Sequence, residues 1–338
     1  MENHKTFKIL CIDGGGIKGL YSAQVLAELE AAYNVRLSDY FDLICGTSTG
    51  GIIALGISAS IEMEKIVAFY KECGPRIFRS NWKRCGKFGN FMLGIRQAII
   101  RSKYSQNHLR KALEEVFGQK TISESKNLLC IPAYNLTDGR PRIFKRDYGC
   151  LNQDNNKTYV NVALATSAAP TYFPIHKIKS TNYIDGGVYA NNPILVGLTE
   201  YLFKWAKSGL FDSVDILSIS SCEKNYGWSP KKKRLPFFNW RENLFDCYSH
   251  GQEINESKFL EVLKDSGMLK FDLNIVRISN EGISGDQEQI ISMDNASNQA
   301  FDLLISKGQS TGACSKDKDS VRAFFQHKKT INPEDYGK

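Results

Sequence analysis

Two glycine-rich turns, each following a short apolar run, contain the residues whose types and spacing could do chemistry. The first turn is Asp13–Gly19 and the second is Gly46–Gly51. The second has the pattern G-x-S-x-G, a sharp strand-to-helix turn that projects a serine hydroxyl above a sheet. An apolar run precedes Ser48 and an apolar helix is predicted after it, with Gly46 and Gly50 supporting the turn. Ser48 is therefore the candidate nucleophile of a hydrolase, and a merely structural turn is the alternative.

The first turn offers backbone amides to an anion. N–H groups of successive small residues at the start of a helix can converge on an oxyanion or a phosphate. We expect Gly15 and Gly16, helped by Gly14, to form the oxyanion hole of the candidate hydrolase. The ammonium of Lys18 and the dipole of the following helix would add positive potential where negative charge develops.

The same turn also matches the dinucleotide fingerprint G-x-G-x-x-G, which predicts binding of a nucleotide phosphate by Gly14–Gly19. Two observations disfavour this function. Asp13 directly precedes the loop, where its charge would repel a pyrophosphate, and the second strand lacks the acidic residue that would hold a ribose. A non-catalytic protein that binds a nucleotide phosphate is thus the alternative to a hydrolase.

A serine nucleophile needs a base, and Asp185 is the candidate. It follows a short apolar run and precedes Gly186 and Gly187, so its carboxylate is expected at a tight turn where free amides could orient it. A carboxylate within hydrogen-bond reach can take the serine proton directly. The alternative is that Asp185 only caps the turn. A triad would need His250 or His327, which lie in a polar helix and a charged tail, and is not expected.

A second G-x-S-x-G match, Gly308–Gly312, occurs late in the chain. It follows the helical stretch Asp302–Lys307 instead of a strand and continues into a polar segment. Gly308 is therefore expected to cap the carboxyl end of a helix. Ser310 is expected to have no catalytic role, whereas Ser48 has an apolar element on each side.

Strand and helix signals alternate along the chain, which predicts a doubly wound sheet with right-handed crossovers. The predicted strands are Phe7–Ile12, Phe41–Cys45, Leu128–Asn135, Arg142–Arg146, Tyr183–Ile184, Val214–Ser221 and Asn274–Ser279. The predicted helices are Leu20–Tyr33, Ile52–Ser58, Ile61–Glu72, Asn107–Phe117, Val160–Ala169, Ile194–Ala206, Asp294–Ser306 and Ser320–Gln326. A single domain is predicted over 1–338, with a motif-bearing core over about 7–221 and a C-terminal extension over about 222–338 that completes it.

The composition, 42% apolar and 24% charged over 338 residues, is typical of a soluble globular protein. The nine cysteines are scattered without zinc or disulfide spacing, which favours a reduced cytosolic setting and predicts no metal site. The apolar run before Asp13 is too short for a signal peptide, and no run approaches the ~18 apolar residues of a membrane span. The net charge of +8 suits an acidic partner such as anionic lipid or a nucleotide.

Two windows rich in basic and aromatic residues, Trp82–Lys103 and Lys224–Arg241, are predicted to be inserted loops. Each contains six basic residues and no acidic one. Basic side chains drawn to anionic lipid, with tryptophans at the interface, suit peripheral membrane contact. An anionic ligand pocket and an ordinary solvated loop are the alternatives. The candidate contact residues are Trp228, Lys231, Lys232, Lys233, Arg234 and Trp240. No nucleic-acid-binding module accompanies this charge, so nucleic acid is not expected as a partner.

Together, Asp13–Gly19, Gly46–Gly50 and Asp185–Gly187 resemble the three signatures of the patatin-like phospholipase family, in that family's order. Ala165–Pro174 is also similar to the segment that precedes the family's aspartate. The resemblance covers roughly residues 7–195 and departs from the family at none of the motif positions, whereas residues beyond about 222 match no family motif.

The resemblance implies a patatin-like three-layer α/β fold, with a central and mostly parallel sheet flanked by helices. It also implies a lipid acyl hydrolase of the phospholipase A type, which cleaves acyl esters of membrane phospholipids without a cofactor. Ser48 would be the nucleophile and Asp185 the base, first for acylation and then for the water that releases the fatty acid. A general serine esterase acting on soluble esters is the alternative within the same chemistry.

In size and layout the chain resembles, more narrowly, the bacterial patatin-like effectors of anti-phage systems. This resemblance implies activation by a cyclic oligonucleotide and degradation of membrane lipid. It further implies a cytoplasmic protein that contacts the membrane transiently when active.

Overall fold

The computed structural model describes residues 5–79, 102–149, 151–224 and 237–336, and for 237–243, 245 and 336 it describes the backbone alone. Within these ranges, one mixed sheet of eight strands forms the centre of the fold. The strands are β1 (Thr6–Ile12), β2 (Leu43–Gly46), β3 (Leu128–Asn135), β4 (Arg140–Lys145), β5 (His176–Ile178), β6 (Thr181–Asp185), β7 (Ser213–Ile219) and β8 (Asp272–Ile278). Their order is β5-β6-β3-β2-β1-β7-β8, and β4 also pairs with β3.

The parallel part of the sheet runs from β3 through β2, β1 and β7 to β8. The remaining strands β4, β5 and β6 join it in antiparallel pairs. The helices in the same described ranges are α1 (Gly19–Tyr33), α2 (Thr49–Ser58), α3 (Met63–Ile77), α4 (Gln106–Phe117), α5 (Tyr159–Thr166), α6 (Gly187–Ala190), α7 (Ile194–Lys204), α8 (Phe237–Asp265), α9 (Gly285–Ile290), α10 (Asn298–Lys316) and α11 (Asp319–Arg322).

The sheet separates two apolar cores, because successive side chains along a strand point to opposite faces. In β1, Leu10 and Ile12 face one core, whereas Phe7, Ile9 and Cys11 face the other. The first core is covered by α1 to α5 and α10, and the second by α7 and part of α8. This arrangement confirms the predicted α/β fold with a mostly parallel sheet flanked by helices.

Strand β3 brings the two chemistry-bearing turns together, because it pairs with both β2 and β6. β2 pairs in parallel with Leu128–Cys130, and β6 pairs antiparallel with Ala133–Asn135. The carboxyl ends of β2 and β6 therefore meet near Pro132, which has no N–H to satisfy between the two pairings. Ser48 follows the end of β2, and Asp185 is the last residue of β6.

The loop predicted over Lys224–Arg241 is wrong at its carboxyl end, because α8 begins at Phe237. Hydrophobic periodicity does not reveal this helix, because polar and apolar residues are not sorted onto separate faces: Glu256 and Leu260 are both buried, while Phe259 and Val262 are more than half exposed. The window Trp82–Lys103 lies outside the described residues except at its last two positions.

Gly308 does not end a helix, contrary to the sequence-based expectation, but lies inside α10 together with the exposed Ser310. Gly308 and Gly312 face α1 across a close contact. A Cβ added at Gly308 would lie 2.7 Å from Cβ of Gln24, and one at Gly312 would lie 2.5 Å from Cβ of Glu28. Both positions are therefore glycine because the two helix backbones approach closely.

Replacing Gly308 with alanine should destabilise the protein. The added methyl group would overpack the contact with α1, at a cost of about 1–3 kcal/mol, which offsets the ~1 kcal/mol that alanine gains in helix propensity. Urea denaturation would measure the change in the free energy of unfolding. Ser310→Ala, on the exposed face of the same helix, is the matched control and should be neutral or slightly stabilising. Equal stability of the two variants would contradict the packing role of Gly308.

Candidate active site

Ser48 occupies a strained turn between β2 and α2. Its backbone has φ 55° and ψ −119°, a conformation that residues with side chains rarely adopt. A Cβ on Gly46 would lie 2.2 Å from the carbonyl oxygen of Gly50, and one on Gly50 would lie 2.2 Å from that of Ile12. The N–H of Ser48 donates to Oγ1 of Thr166 at 2.9 Å. These contacts fix the direction in which the Ser48 hydroxyl points.

Asp185 accepts a hydrogen bond from that hydroxyl. The distance from Oγ of Ser48 to Oδ2 of Asp185 is 2.6 Å, and Oδ1 of Asp185 accepts the N–H of Gly187 at 2.7 Å. Between them, a Cβ on Gly186 would lie 2.3 Å from the carbonyl oxygen of Pro132, so the turn needs glycine there. The structure thus brings the two predicted catalytic side chains within reach for direct proton transfer.

Both side chains are withdrawn from water, since Ser48 is 6% exposed and Asp185 is 2% exposed. Burial raises the pKa of Asp185 to about 7, against the lowering effect of the hydrogen bonds from Ser48 and Gly187. A carboxyl group whose pKa lies near neutrality can both accept and return a proton at physiological pH.

The N–H groups of the glycine loop divide into occupied and open donors. The N–H of Gly14 donates to the carbonyl oxygen of Asn191 at 3.0 Å. Within the described ranges, the N–H groups of Gly15 and Gly16 have no acceptor. They are therefore the open donors of the loop. Lys18 is buried at the junction with α1, and its electrostatic role stays a prediction.

The open part of the loop is confined by two neighbouring segments. A Cβ on Gly15 would lie 2.5 Å from Oγ of Ser221, and one on Gly16 would lie 2.2 Å from the carbonyl oxygen of Met293. Gly16 also has a φ of 61°, which favours glycine. The N–H of Ile17, at the helix start where a dinucleotide phosphate would bind, already donates to that Met293 carbonyl at 2.9 Å.

Asp13 does not present a free charge to the loop, contrary to the sequence-based expectation. Its carboxylate accepts from both terminal nitrogens of Arg277, at 3.0 and 2.6 Å. Repulsion of a pyrophosphate by Asp13 is therefore weaker than predicted, and the occupied N–H of Ile17 is the stronger obstacle to a nucleotide. Sequence reasoning missed Arg277, whose one signal is a lone basic residue in β8.

An apolar pocket opens beside Ser48 and extends between α2, α3 and α4. Its lining includes Ile52, Phe69, Ile77, Leu109, Tyr172, Phe173 and Met293. A pocket with apolar walls and a nucleophile at one side suits a fatty-acyl chain better than a polar substrate.

Met293 belongs both to this pocket and to the segment that confines the glycine loop. The next residue, Asp294, forms an ion pair with Lys103 and accepts from the hydroxyl of Tyr104 at 2.7 Å. The N–H of Tyr104 in turn donates to the carbonyl oxygen of Tyr172, in the opposite wall of the pocket, at 2.8 Å. Asp294 thus links the two walls.

The predicted membrane or ligand contacts fall largely outside the described residues. Trp228 and Lys231–Arg234 lie outside the described residues, and for Trp240 in α8 only the backbone is described. Their roles stay predictions. In the part of the chain that the structure describes, no helix combines the length and the apolar character needed to cross a bilayer.

Comparison with known proteins shows which family this fold and site belong to. The family model described as Patatin-like phospholipase matches residues 10–198. A cGAMP-activated phospholipase of Pseudomonas aeruginosa is 32% identical over 310 residues, which cover 91% of this chain and 88% of the relative. The chain belongs to the patatin-like phospholipase family. Members of this family are serine acyl hydrolases.

Two further similarities extend the comparison. A cGAMP-activated phospholipase of Escherichia coli is 30% identical over 325 residues, covering 89% of this chain and 87% of the relative. Among solved structures, human GIVD cytosolic phospholipase A2 has a TM-score of 0.49 at 11% identity, covering 97% of this chain and 61% of that one. The assignment of this chain to the family therefore rests on the family model and the sequence relatives.

The reactivity of Ser48 should rise with pH and level off above about pH 7. Only the ionised carboxylate of Asp185 can take the serine proton, and its pKa is raised to about 7. Labelling by a fluorophosphonate probe between pH 5 and 9 would measure the rate. Asp185→Asn is the control, and it should label slowly and without this pH dependence. A flat profile in the wild type, or the same profile in the variant, would contradict a role for Asp185 as base.

Proposed function

We propose that this chain is a phospholipase A that hydrolyses fatty-acyl esters of membrane phospholipids through a Ser48–Asp185 dyad. The single observation that carries this proposal is the 2.6 Å hydrogen bond between the two buried side chains. The apolar pocket beside the serine supports a fatty-acyl chain as the group transferred to it.

In the first half of the reaction, Oγ of Ser48 attacks the ester carbonyl carbon while its proton passes to Oδ2 of Asp185. The oxyanion of the tetrahedral intermediate accepts from the N–H groups of Gly15 and Gly16. One such donor is typically worth about 3–4 kcal/mol of transition-state stabilisation. When the intermediate collapses, the bond to the lysophospholipid oxygen breaks, and Asp185 returns the proton to that oxygen.

In the second half, a water molecule replaces the lysophospholipid. Asp185 takes a proton from this water as it attacks the acyl-serine carbonyl, and the same N–H groups hold the new oxyanion. Collapse of this second intermediate releases the fatty acid and returns the proton to Oγ of Ser48. Because one carboxylate serves both halves, a pKa near neutrality suits the role better than an ordinary aspartate pKa would.

We further propose that a cyclic nucleotide of the cGAMP type activates the enzyme as part of anti-phage defence. The support is similarity along nearly the whole chain to relatives named cGAMP-activated phospholipases. The proposed setting is the cytoplasm, with peripheral membrane contact in the active state. The basic and aromatic residues Trp228, Lys231–Arg234 and Trp240 are the proposed contacts to anionic lipid or to the activator.

Ser48→Ala and Asp185→Asn should each abolish release of free fatty acid from mixed phospholipid vesicles. Loss of the nucleophile or its base should lower the rate by on the order of 10³-fold or more. The assay would run with and without cGAMP, and circular dichroism would show that both variants fold. Ser310→Ala is the matched control and should keep wild-type activity.

The outcomes separate the competing functions. Release that needs Ser48 and occurs only with cGAMP would support the enzyme and its activation together. Release without cGAMP would remove the activation, and hydrolysis of soluble p-nitrophenyl esters but not of vesicles would favour a general esterase. Full activity of both dyad variants would refute the proposed mechanism.

Neutralising the four charges of Lys231–Arg234 should lower activity on anionic vesicles more than on a soluble ester. The expected cause is loss of attraction to the lipid surface, worth about 1 kcal/mol for each basic residue near the membrane. Parallel assays of glutamine variants on both substrates would measure the difference. Equal losses on the two substrates would contradict a membrane role for this segment.

A further inference from the structure

Arg277 holds the amino-terminal end of the glycine loop although it comes from β8, at the far edge of the parallel sheet. Its two terminal nitrogens contact the two carboxylate oxygens of Asp13, at 3.0 and 2.6 Å. This two-pronged geometry defines orientation as well as distance, which a single point charge would not do. One of the same nitrogens also donates to Oγ of Ser218 at 2.7 Å. A single residue, Gly14, separates Asp13 from the open donors Gly15 and Gly16.

The same guanidinium carries a second attachment, to helix α8. Arg277 forms an ion pair with Glu253 of α8 and another, at 3.1 Å, with Glu223 after β7. A shift of Glu253 would therefore pull on the group that orients Asp13. The glycine loop and α8 share one cation.

Helix α8 also contacts the other half of the site. The hydroxyl of Tyr248 donates to the carbonyl oxygen of Val188 at 2.6 Å, and the side-chain amide of Gln252 donates to that of Tyr189. Both acceptors belong to α6, whose first residue, Gly187, orients the Asp185 carboxylate. One helix thus touches both the loop that offers the oxyanion donors and the turn that holds the base.

The part of α8 that packs near the site is polar, and several of its polar atoms lack a hydrogen-bond partner. Among the described residues, Oγ of Ser249, Oε1 of Gln252 and Oε2 of Glu256 are buried without a hydrogen-bond partner. Glu253 and Glu256 add two carboxylates to those of Asp13 and Glu223, around the single guanidinium of Arg277. The contacts of this part of α8 with the site are thus directed polar interactions.

We propose that Arg277 is a positioning residue that couples the position of α8 to the geometry of the oxyanion hole. Its guanidinium orients Asp13 at the start of the glycine loop, and Glu253 of α8 orients the guanidinium. Arg277 touches no reacting atom in this scheme. The inference rests on the proposed function, since it assigns the loop the task of binding the oxyanion.

Arg277→Lys tests the coupling, because lysine keeps the charge but loses the two-pronged contact with Asp13. We expect fluorophosphonate labelling of Ser48 to slow by about 10–100-fold, less than or comparable to the loss of one oxyanion donor. For a soluble ester, kcat should fall while KM stays within about twofold, since the acyl pocket is unchanged. All rates would be measured with and without cGAMP.

Arg142→Lys is the matched control. Arg142 is 25% exposed, as is Arg277, and it pairs with the buried Asp154 at 2.5 Å, away from the loop. This variant should lose similar stability to urea but keep its labelling rate within about twofold. An equal loss of labelling in the two arginine variants, or a wild-type rate in Arg277→Lys, would overturn the proposal.

Glu253→Gln tests the link to α8 while leaving the pair between Asp13 and Arg277 in place. We expect labelling to slow by about 3–10-fold, with faster hydrogen exchange in a peptide spanning 12–20. This variant carries the test if Arg277→Lys does not fold. Unchanged exchange in that peptide would overturn the coupling even if the wild type is not labelled at all. Absence of labelling in the wild type would instead refute the dyad, so the two failures are distinguishable.

Discussion

The hydrogen bond between the Ser48 hydroxyl and the Asp185 carboxylate is the interaction on which the rest of the structure depends. Placing a carboxylate where it is 2% exposed is costly, and one hydroxyl and the N–H of Gly187 offset only part of that cost. The remainder is seen in the pKa of Asp185, which is raised to about 7 and suits its proposed role as the base in both halves of an acyl transfer. The strained backbone of Ser48 and the crowded glycines around it follow from the same requirement to hold two side chains at a fixed distance.

The sheet meets this requirement through β3, which pairs with β2 and β6 in succession along its length. Ser48 and Asp185, the proposed nucleophile and base, thereby lie at adjacent strand ends even though they are far apart in the sequence. The glycine loop lies at the carboxyl end of β1, which pairs with β2. All three motifs therefore lie at the same end of the sheet, where these strands finish. Asp13, Ser48 and Asp185 are all buried at this end of the sheet, and electrostatic interactions are stronger where water is excluded.

Much of this organisation could be predicted from the sequence, because local patterns determine it. The apolar runs gave most strands and helices to within a few residues, and the glycine motifs marked Ser48 and Asp185. The failures share one physical cause, which is that the deciding contact comes from a distant segment. In the sequence Gly308 resembles a helix cap, because its contact with α1 is not visible there. Helix α8 combines a buried Glu256 with the exposed Phe259 and Val262, so its apolar residues follow no clear helical period. The role proposed for Arg277 becomes evident only from its contact with Asp13.

The distance along the chain between these last two residues has a consequence for synthesis. Asp13 and Arg277 are separated by 264 positions, and Asn191, Ser221 and Met293, which confine the same loop, also come late. A ribosome therefore releases the glycine loop and Ser48 long before it releases the residues that shape them. Contacts of such high sequence separation form late in folding. A nascent chain therefore lacks the contacts that shape the glycine loop. Under the proposed function, the lipid-degrading activity would be withheld until translation is nearly complete.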